Sequence, residues 1–339
     1  DVCSSDWNIN TNIAIGSFNF DLAPVIIVAF FTALLVMGTK IGARVDGALT
    51  ILKIAIVVFI VVVGFFYIKA ENFTPFIPPS EPAASTDGSG VSAVMEQPLW
   101  QWATGMAPSI YGVTGIISGA ALVFFAFLGF DVVATASEET INPKKNVPLG
   151  IGVGLGLIIV LYTLVAIVTT GMVSYKDLAK QSDPSLAVAF KMVGADWAAK
   201  IISLGIVIGM ATVVMVLLLG LTRVVFAMSR DGLLPRGLSH TGKHGTPVRL
   251  QIIVGVVMAL IAACCNVGIL SDMVNIGTLS AFTLVAISIP IMRKKRPDLE
   301  RSFKIPGNPW MPILIALANL WLMVNLSVLT WIRFVVWLI

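Results

Sequence analysis

The chain has 339 residues, 57% of them hydrophobic and 12% charged, and its mean hydropathy is +0.95. That composition excludes a soluble globular protein. The formal net charge of +4 comes from basic residues dispersed over short connections, which excludes a nucleic-acid footprint.

In chain order, residues 1–21 contain no span and read as an irregular segment, partly of non-native character at DVCSSD. No initiator Met or signal peptide precedes them, so the sequence reads as a fragment. Apolar stretches bounded by Pro, Gly and charge then place transmembrane helices at about 22–39, 47–68, 116–138, 149–173, 198–228, 248–267, 273–292 and 311–329. A ninth begins at Trp331 and is cut short at Ile339. Porin strands would alternate apolar and polar residues, whereas Ile54 to Phe66 is continuously apolar. The expectation is an all-α integral membrane protein with eight full transmembrane helices and a truncated last one, forming a single membrane domain over 22–339. A connection at about 69–115, rich in Pro, Ser, Gly and Ala, reads as a long, partly disordered external loop.

Lys and Arg set the orientation. With the chain starting outside, inner connections hold Lys40, Arg44, Lys144, Lys145, Arg230, Arg236, Arg293, Lys294, Lys295 and Arg296, while outer ones hold few, among them Lys69, Lys176 and Lys180. The outer loop also carries the sequon Asn72-Phe73-Thr74.

No metal or cofactor is expected. Cys264 and Cys265 are adjacent without a CxxC pattern and read as small packing residues, and Cys3 lies in the terminal segment. His240 and His244 sit in a loop between Pro235 and Pro247 with no third ligand in view.

Two intramembrane charges carry more. Gly129 and Asp131 interrupt the apolar run 116–138. A carboxylate at the bilayer centre costs about 2.5–3.5 kcal/mol, so it persists where it meets backbone donors, a substrate or a proton. Glycine beside it lets the helix unwind cheaply. Lys53 lies a few residues inside the inner end of the second span: it either snorkels to the headgroups or is a buried ammonium that releases and regains a proton during a cycle. Glu138 and Glu139 read as interfacial. Phe124, Phe125, Phe127 and Phe130 surround the break, as packing or as an aromatic lid over a ligand. Gly150, Gly152, Gly154 and Gly156, with Gly205 and Gly209, suggest close helix packing.

Four runs, FFAFLGFDVVATASEETINPKKNVPLGI from Phe124, VVFAMSRDGLLP from Val224, MVNIGTLSAF from Met273 and RKKRPDLERSFKIPGNPWMPIL from Arg293, resemble the amino acid, polyamine and organocation superfamily. Within it they are most similar to the cationic amino acid transporter branch. The resemblance implies a partial LeuT-like inverted-repeat fold of two five-helix units, with this chain corresponding to helices four to twelve and lacking the first three. It implies that Phe125, Ala126, Leu128, Gly129 and Asp131 bind substrate at a broken helix, the first three through backbone carbonyls around the break. It also gives Phe125 the place of an aromatic gate and Lys53 the place of a coupling ion.

The function so implied is a secondary active amino acid transporter of the cell membrane, coupled to protons and working by alternating access. Its partners would be an amino acid, the proton and the bilayer, with no nucleic acid. The substrate is open between cationic and small neutral amino acids. The alternative is a transporter-derived scaffold or amino acid sensor that does not transport. An enzyme is not expected, because no clustered acid, base or metal set is present.

Overall fold

A computed structural model describes residues 12–15, 18–37, 39–82, 91–106, 109–135, 140–181, 184–239, 247–264, 267–298, 305, 307 and 309–339. Cys3, Cys265, Glu138, Glu139, His240 and His244 lie outside the described residues.

Where irregular chain was expected, residues 12–21 hold an antiparallel pair, β1 (Asn12–Ile15) and β2 (Phe18–Asp21), with Asn12 opposite Asp21 and Ile15 opposite Phe18. The apolar runs then form helices, in which each span satisfies its own backbone in hydrocarbon. They are α1 (Leu22–Met37), α2 (Thr39–Phe65), α5 (Gly112–Phe127), α6 (Phe130–Thr135), α7 (Pro143–Met172), α10 (Asp196–Arg230), α11 (Val248–Cys264), α12 (Val267–Lys295), α13 (Trp310–Val324) and α14 (Val328–Leu338). Among the described residues, five spans are long and apolar enough to cross a membrane: Gly47–Phe65, Gly112–Thr135, Pro143–Met172, Asp196–Arg230 and Leu270–Lys295. Four shorter apolar helices accompany them. Large apolar side chains such as Val153, Leu157 and Val160 on α7 face outward. In water that surface would aggregate; in lipid it is solvated.

The connection at about 69–115, expected to be external and partly disordered, holds regular elements among its described residues. Beyond a short 3-10 turn at Ala70–Phe73, it contains β3 (Glu81–Pro82), α3 (Val91–Glu96), α4 (Leu99–Thr104) and β4 (Ser109–Ile110), with β3 and β4 paired antiparallel. Gly105 ends α4 in the left-handed region at φ 69°, donating its N–H back to Gln101 and Trp102. Two further short helices, α8 (Tyr175–Ala179) and α9 (Leu186–Met192), join α7 to α10. Ser185 caps α9 by accepting the Val188 N–H at 3.3 Å.

The chain divides into two compact units, Asp1–Thr74 with Gly129–Cys265, and Pro75–Leu128 with Asn266–Ile339. In the first, α2 packs on α7 and α10, and α1 packs on α11 and α10. Its larger core joins Ile60, Val168, Met172, Phe190, Ala198, Ala199 and Ile202, and a second cluster joins Val28, Phe31 and Leu35 of α1 to Met215 and Leu218 of α10. Glycines permit the close approaches. A methyl group on Gly64 would meet the Val168 side chain and lie 2.8 Å from Met172 Sδ, and one on Gly205 would lie 2.7 Å from Ile56 Cδ1. The packing expected at Gly150, Gly152, Gly154 and Gly156 is absent: a methyl there would meet nothing within 4 Å among the described residues.

In the second unit α12 packs on α13, α14 and α5, and α14 also meets α3 and α4. Ala121, Ile276, Leu279, Met323, Leu326 and Phe334 form its core. The Trp331 indole donates to the Met323 carbonyl at 2.9 Å and fixes the corner between α13 and α14.

Candidate functional site

The interruption expected at Gly129 is present. Helix α5 ends at Phe127, Leu128 is extended at φ −64° and ψ 146°, and Gly129 takes φ 119°, a conformation that strains any residue with a Cβ. Helix α6 starts afresh at Phe130. The last turn of α5 closes through the Leu128 N–H, which donates to the Phe125 carbonyl at 3.2 Å. On the other side of the break the Val132 N–H donates to the Gly129 carbonyl at 3.1 Å.

Asp131 serves this geometry directly, since its Oδ1 accepts the Gly129 N–H at 3.1 Å. Of the two roles open to the carboxylate, backbone satisfaction of a broken helix therefore has a structural partner. The side chain is otherwise exposed, and its remaining lone pairs stay available to a ligand or water.

The four phenylalanines divide. Phe124 makes an edge-to-face contact with Phe282, centroids 6.2 Å apart, and packs against the second unit's core. Phe125, on the next position of the helix, points elsewhere and is 46% exposed, as an aromatic free to cover a ligand must be. Ala126 is exposed, and Leu128 and Gly129 are half-buried.

Lys53 reaches across from α2 to α10. Its stem crosses α10 at Gly209, where a methyl would lie 3.6 Å from Cδ, and its Nζ donates to Thr212 Oγ1 at 2.6 Å. The fully buried Thr212 hydroxyl donates in turn to the Gly209 carbonyl at 2.8 Å. Among the described residues no carboxylate stands within ion-pair distance of this ammonium. Thr212 is the residue that sequence reasoning missed. A hydroxyl in an apolar helix, 159 positions away from its lysine, has no local signature; the only hint is the Gly209-x-x-Thr212 spacing, which puts the small and the polar residue on one helix face.

The described residues contain no group of three His, Cys, Asp or Glu side chains able to hold a metal ion.

A multi-pass helical membrane protein with one span broken at a glycine and a lysine held inside another is the class that these features define. The chain belongs to the amino acid permease family, whose model matches residues 5–336. It is 40% identical over 326 residues to the branched-chain amino acid permease BcaP of Bacillus subtilis, covering 96% of this chain and 63% of that protein. It is 39% identical over 320 residues to a methylthioribose transporter of the same organism, covering 94% of this chain and 62% of that protein. A mitochondrial cationic amino acid transporter 3 of Arabidopsis thaliana is 34% identical over 281 residues, 83% of this chain and 42% of that protein. The chain thus spans less than two thirds of the length of these relatives. The resemblance to the superfamily holds, and relatives named for cationic amino acids stand among the matches.

Proposed function

We propose that this chain works as part of a secondary active amino acid permease in the cell membrane, with substrate held at the break between Phe124 and Asp131 and uptake coupled to protons through Lys53. The observation that carries the proposal is the Gly129 interruption in a membrane-length helix of a chain belonging to the amino acid permease family. An interrupted helix exposes backbone donors and acceptors that match a zwitterion, while its half-helix ends carry partial charge of the right sign. Phe125, Ala126, Leu128 and Gly129 provide backbone and apolar surface, Phe125 acts as the gate, and Asp131 holds the turn through Gly129.

The substrate class that fits is an amino acid with an uncharged side chain. The relative named for branched-chain amino acids supports this, as does the lack of any charged side chain from Phe124 to Phe130. Asp131 is the one acid beside the break, and it already accepts from Gly129. Proton coupling is supported by the place of Lys53 inside a span, where its ammonium donates to the neutral Thr212 hydroxyl.

The test is uptake into proteoliposomes by the intact transporter. Lys53→Ala should abolish accumulation driven by an inward proton gradient while the protein still folds and still binds leucine; undiminished gradient-driven uptake sinks the coupling role. Leucine binding without any translocation by the unaltered protein would instead support a sensor.

A further inference from the structure

The half-helix α6 is too short to hold its own position, and a notch in α10 receives it. Resting on the amino acid site proposed at the break, we propose that Gly220 of α10 is a positioning residue for that site: it seats Val132 of α6 and thereby fixes where the Gly129–Asp131 turn stands.

Six residues, Phe130–Thr135, make up α6. That is under two turns, and the break before it removes the support of an upstream helix, so packing rather than helix propensity decides where it lies. It packs on α7 and on α10. Val132 and Thr135 stand three residues apart on one face and are half-buried, whereas Asp131, Val133 and Ala134 are exposed. The Thr135 hydroxyl donates to the Val132 carbonyl at 2.7 Å and is thus satisfied within α6.

Opposite Val132 lies Gly220, itself buried. A methyl group there would stand 2.9 Å from Val132 Cγ1, 3.2 Å from Cγ2 and 3.6 Å from Cβ. The head of the valine occupies the space that any other residue's Cβ would need. Gly220 sits in the interior of α10 without a positive φ, so conformation does not call for glycine. There glycine costs about 1 kcal/mol against alanine, and the close approach of Val132 is what the missing side chain provides.

The surroundings of Gly220 leave α10 little room to yield. Leu218, fully buried, shares a core cluster with Val28, Phe31 and Leu35 of α1, and the buried Thr222 donates its hydroxyl to the Leu219 carbonyl at 2.8 Å. Val132 is stiff as well, because a β-branched side chain in a helix has one strongly preferred rotamer. Crowding at this contact is therefore relieved by moving α6. The movement reaches the break at once, since the Val132 N–H donates to the Gly129 carbonyl at 3.1 Å and the adjacent Asp131 accepts the Gly129 N–H at 3.1 Å. Gly129, Asp131, Val132 and Gly220 all belong to the first unit.

The experiment compares Gly220→Ala, Val132→Ala and the double variant in the purified intact transporter, reading amide hydrogen exchange over 129–135 and equilibrium binding of radiolabelled leucine. Gly220→Ala should speed exchange over that segment about tenfold and weaken leucine binding about tenfold. Adding Val132→Ala should return both toward the unaltered values, because with the γ-methyls gone the nearest Val132 atom is the Cβ at 3.6 Å, an ordinary contact. Val132→Ala alone only opens space beside Gly220 and closes the mutant cycle. Gly64→Ala is the comparison for overpacking by itself: it crowds α2 against α7 in the same unit and should lower the melting temperature without moving leucine affinity. Unchanged exchange and affinity in a folded Gly220→Ala protein, losses that Val132→Ala fails to relieve, or an equal loss of affinity in Gly64→Ala overturns the proposal. If Gly220→Ala alone does not fold, the double variant carries the test: recovered folding and binding support the seat, and no recovery overturns it. Exchange is read without ligand, so an unaltered protein that binds no leucine sinks the amino acid reading while the exchange rescue still decides the seat.

Discussion

Removing the Thr212 hydroxyl is the sharpest probe of Lys53. Thr212→Val keeps the branched shape inside a fully buried position of α10 and deletes the hydroxyl that accepts from the ammonium at 2.6 Å and donates to the Gly209 carbonyl at 2.8 Å. A hydrogen bond to a charged group contributes about 1.5–3 kcal/mol, and this one is short, as charge-assisted bonds are. At about 2 °C per kcal/mol for a chain of this size, the variant should melt about 3–6 °C lower. Removing the acceptor also loosens the hold on the Lys53 side chain inside the first unit, so gradient-driven uptake should fall with it, and Thr212→Ser should restore both. The assays are a thermal melt in detergent and leucine uptake into proteoliposomes under an imposed proton gradient. A Thr212→Val protein with unchanged melting and unchanged uptake would show that the bond carries neither stability nor coupling.

Three further outcomes are expected. Gly129→Ala has open space for its methyl but a backbone at φ 119° that alanine resists, so a cost of about 1–3 kcal/mol should come from conformation alone; a melt equal to the unaltered protein would mean that the break relaxes freely. Gly64→Ala drives a methyl into Val168, Met172 and Phe190 and should cost about 1–3 kcal/mol by overpacking, while Gly209→Ala, 3.6 Å from the Lys53 stem, should be near neutral; comparing the two melts checks the close approach of α2 to α7. Phe125→Ala should weaken leucine affinity or widen selectivity, measured by competition across a panel of amino acids, and an unaltered profile would reduce Phe125 to a packing residue.

Much of this fold was legible because hydrocarbon demands continuous apolarity: the runs beginning near Leu22, Gly47, Val248 and Met273 each fall within a helix. Gly129 was legible for the same reason, since a residue that weakens helices stands out in a run of phenylalanine and valine. The rest depends on contacts that sequence spacing does not encode. Gly150 to Gly156 and Gly64 are the same residue type, yet only Gly64 has a neighbour pressed against it. The connection after Lys69 looked disordered because its composition is polar and small, but Gln97 and Gln101 are buried where α3 and α4 dock on α14. Asp131 announced itself as a charge in lipid, while its partner, a main-chain N–H two residues earlier, has no sequence signature at all.

The short turn that follows α2 has a practical consequence for making this protein. Asn72 opens the sequon Asn72-Phe73-Thr74, but its amide nitrogen donates to the Gly171 carbonyl at 2.7 Å and the side chain is half-buried against α7. The neighbouring Lys69 N–H donates to the same carbonyl at 2.9 Å. Sugar transfer needs that nitrogen free and reachable. In a host that glycosylates secretory chains, modification therefore competes with the docking of this turn, and a glycan at Asn72 marks molecules that were modified before α2 and α7 closed. A shift in mass on a gel becomes a simple gauge of how much of a preparation missed its native packing.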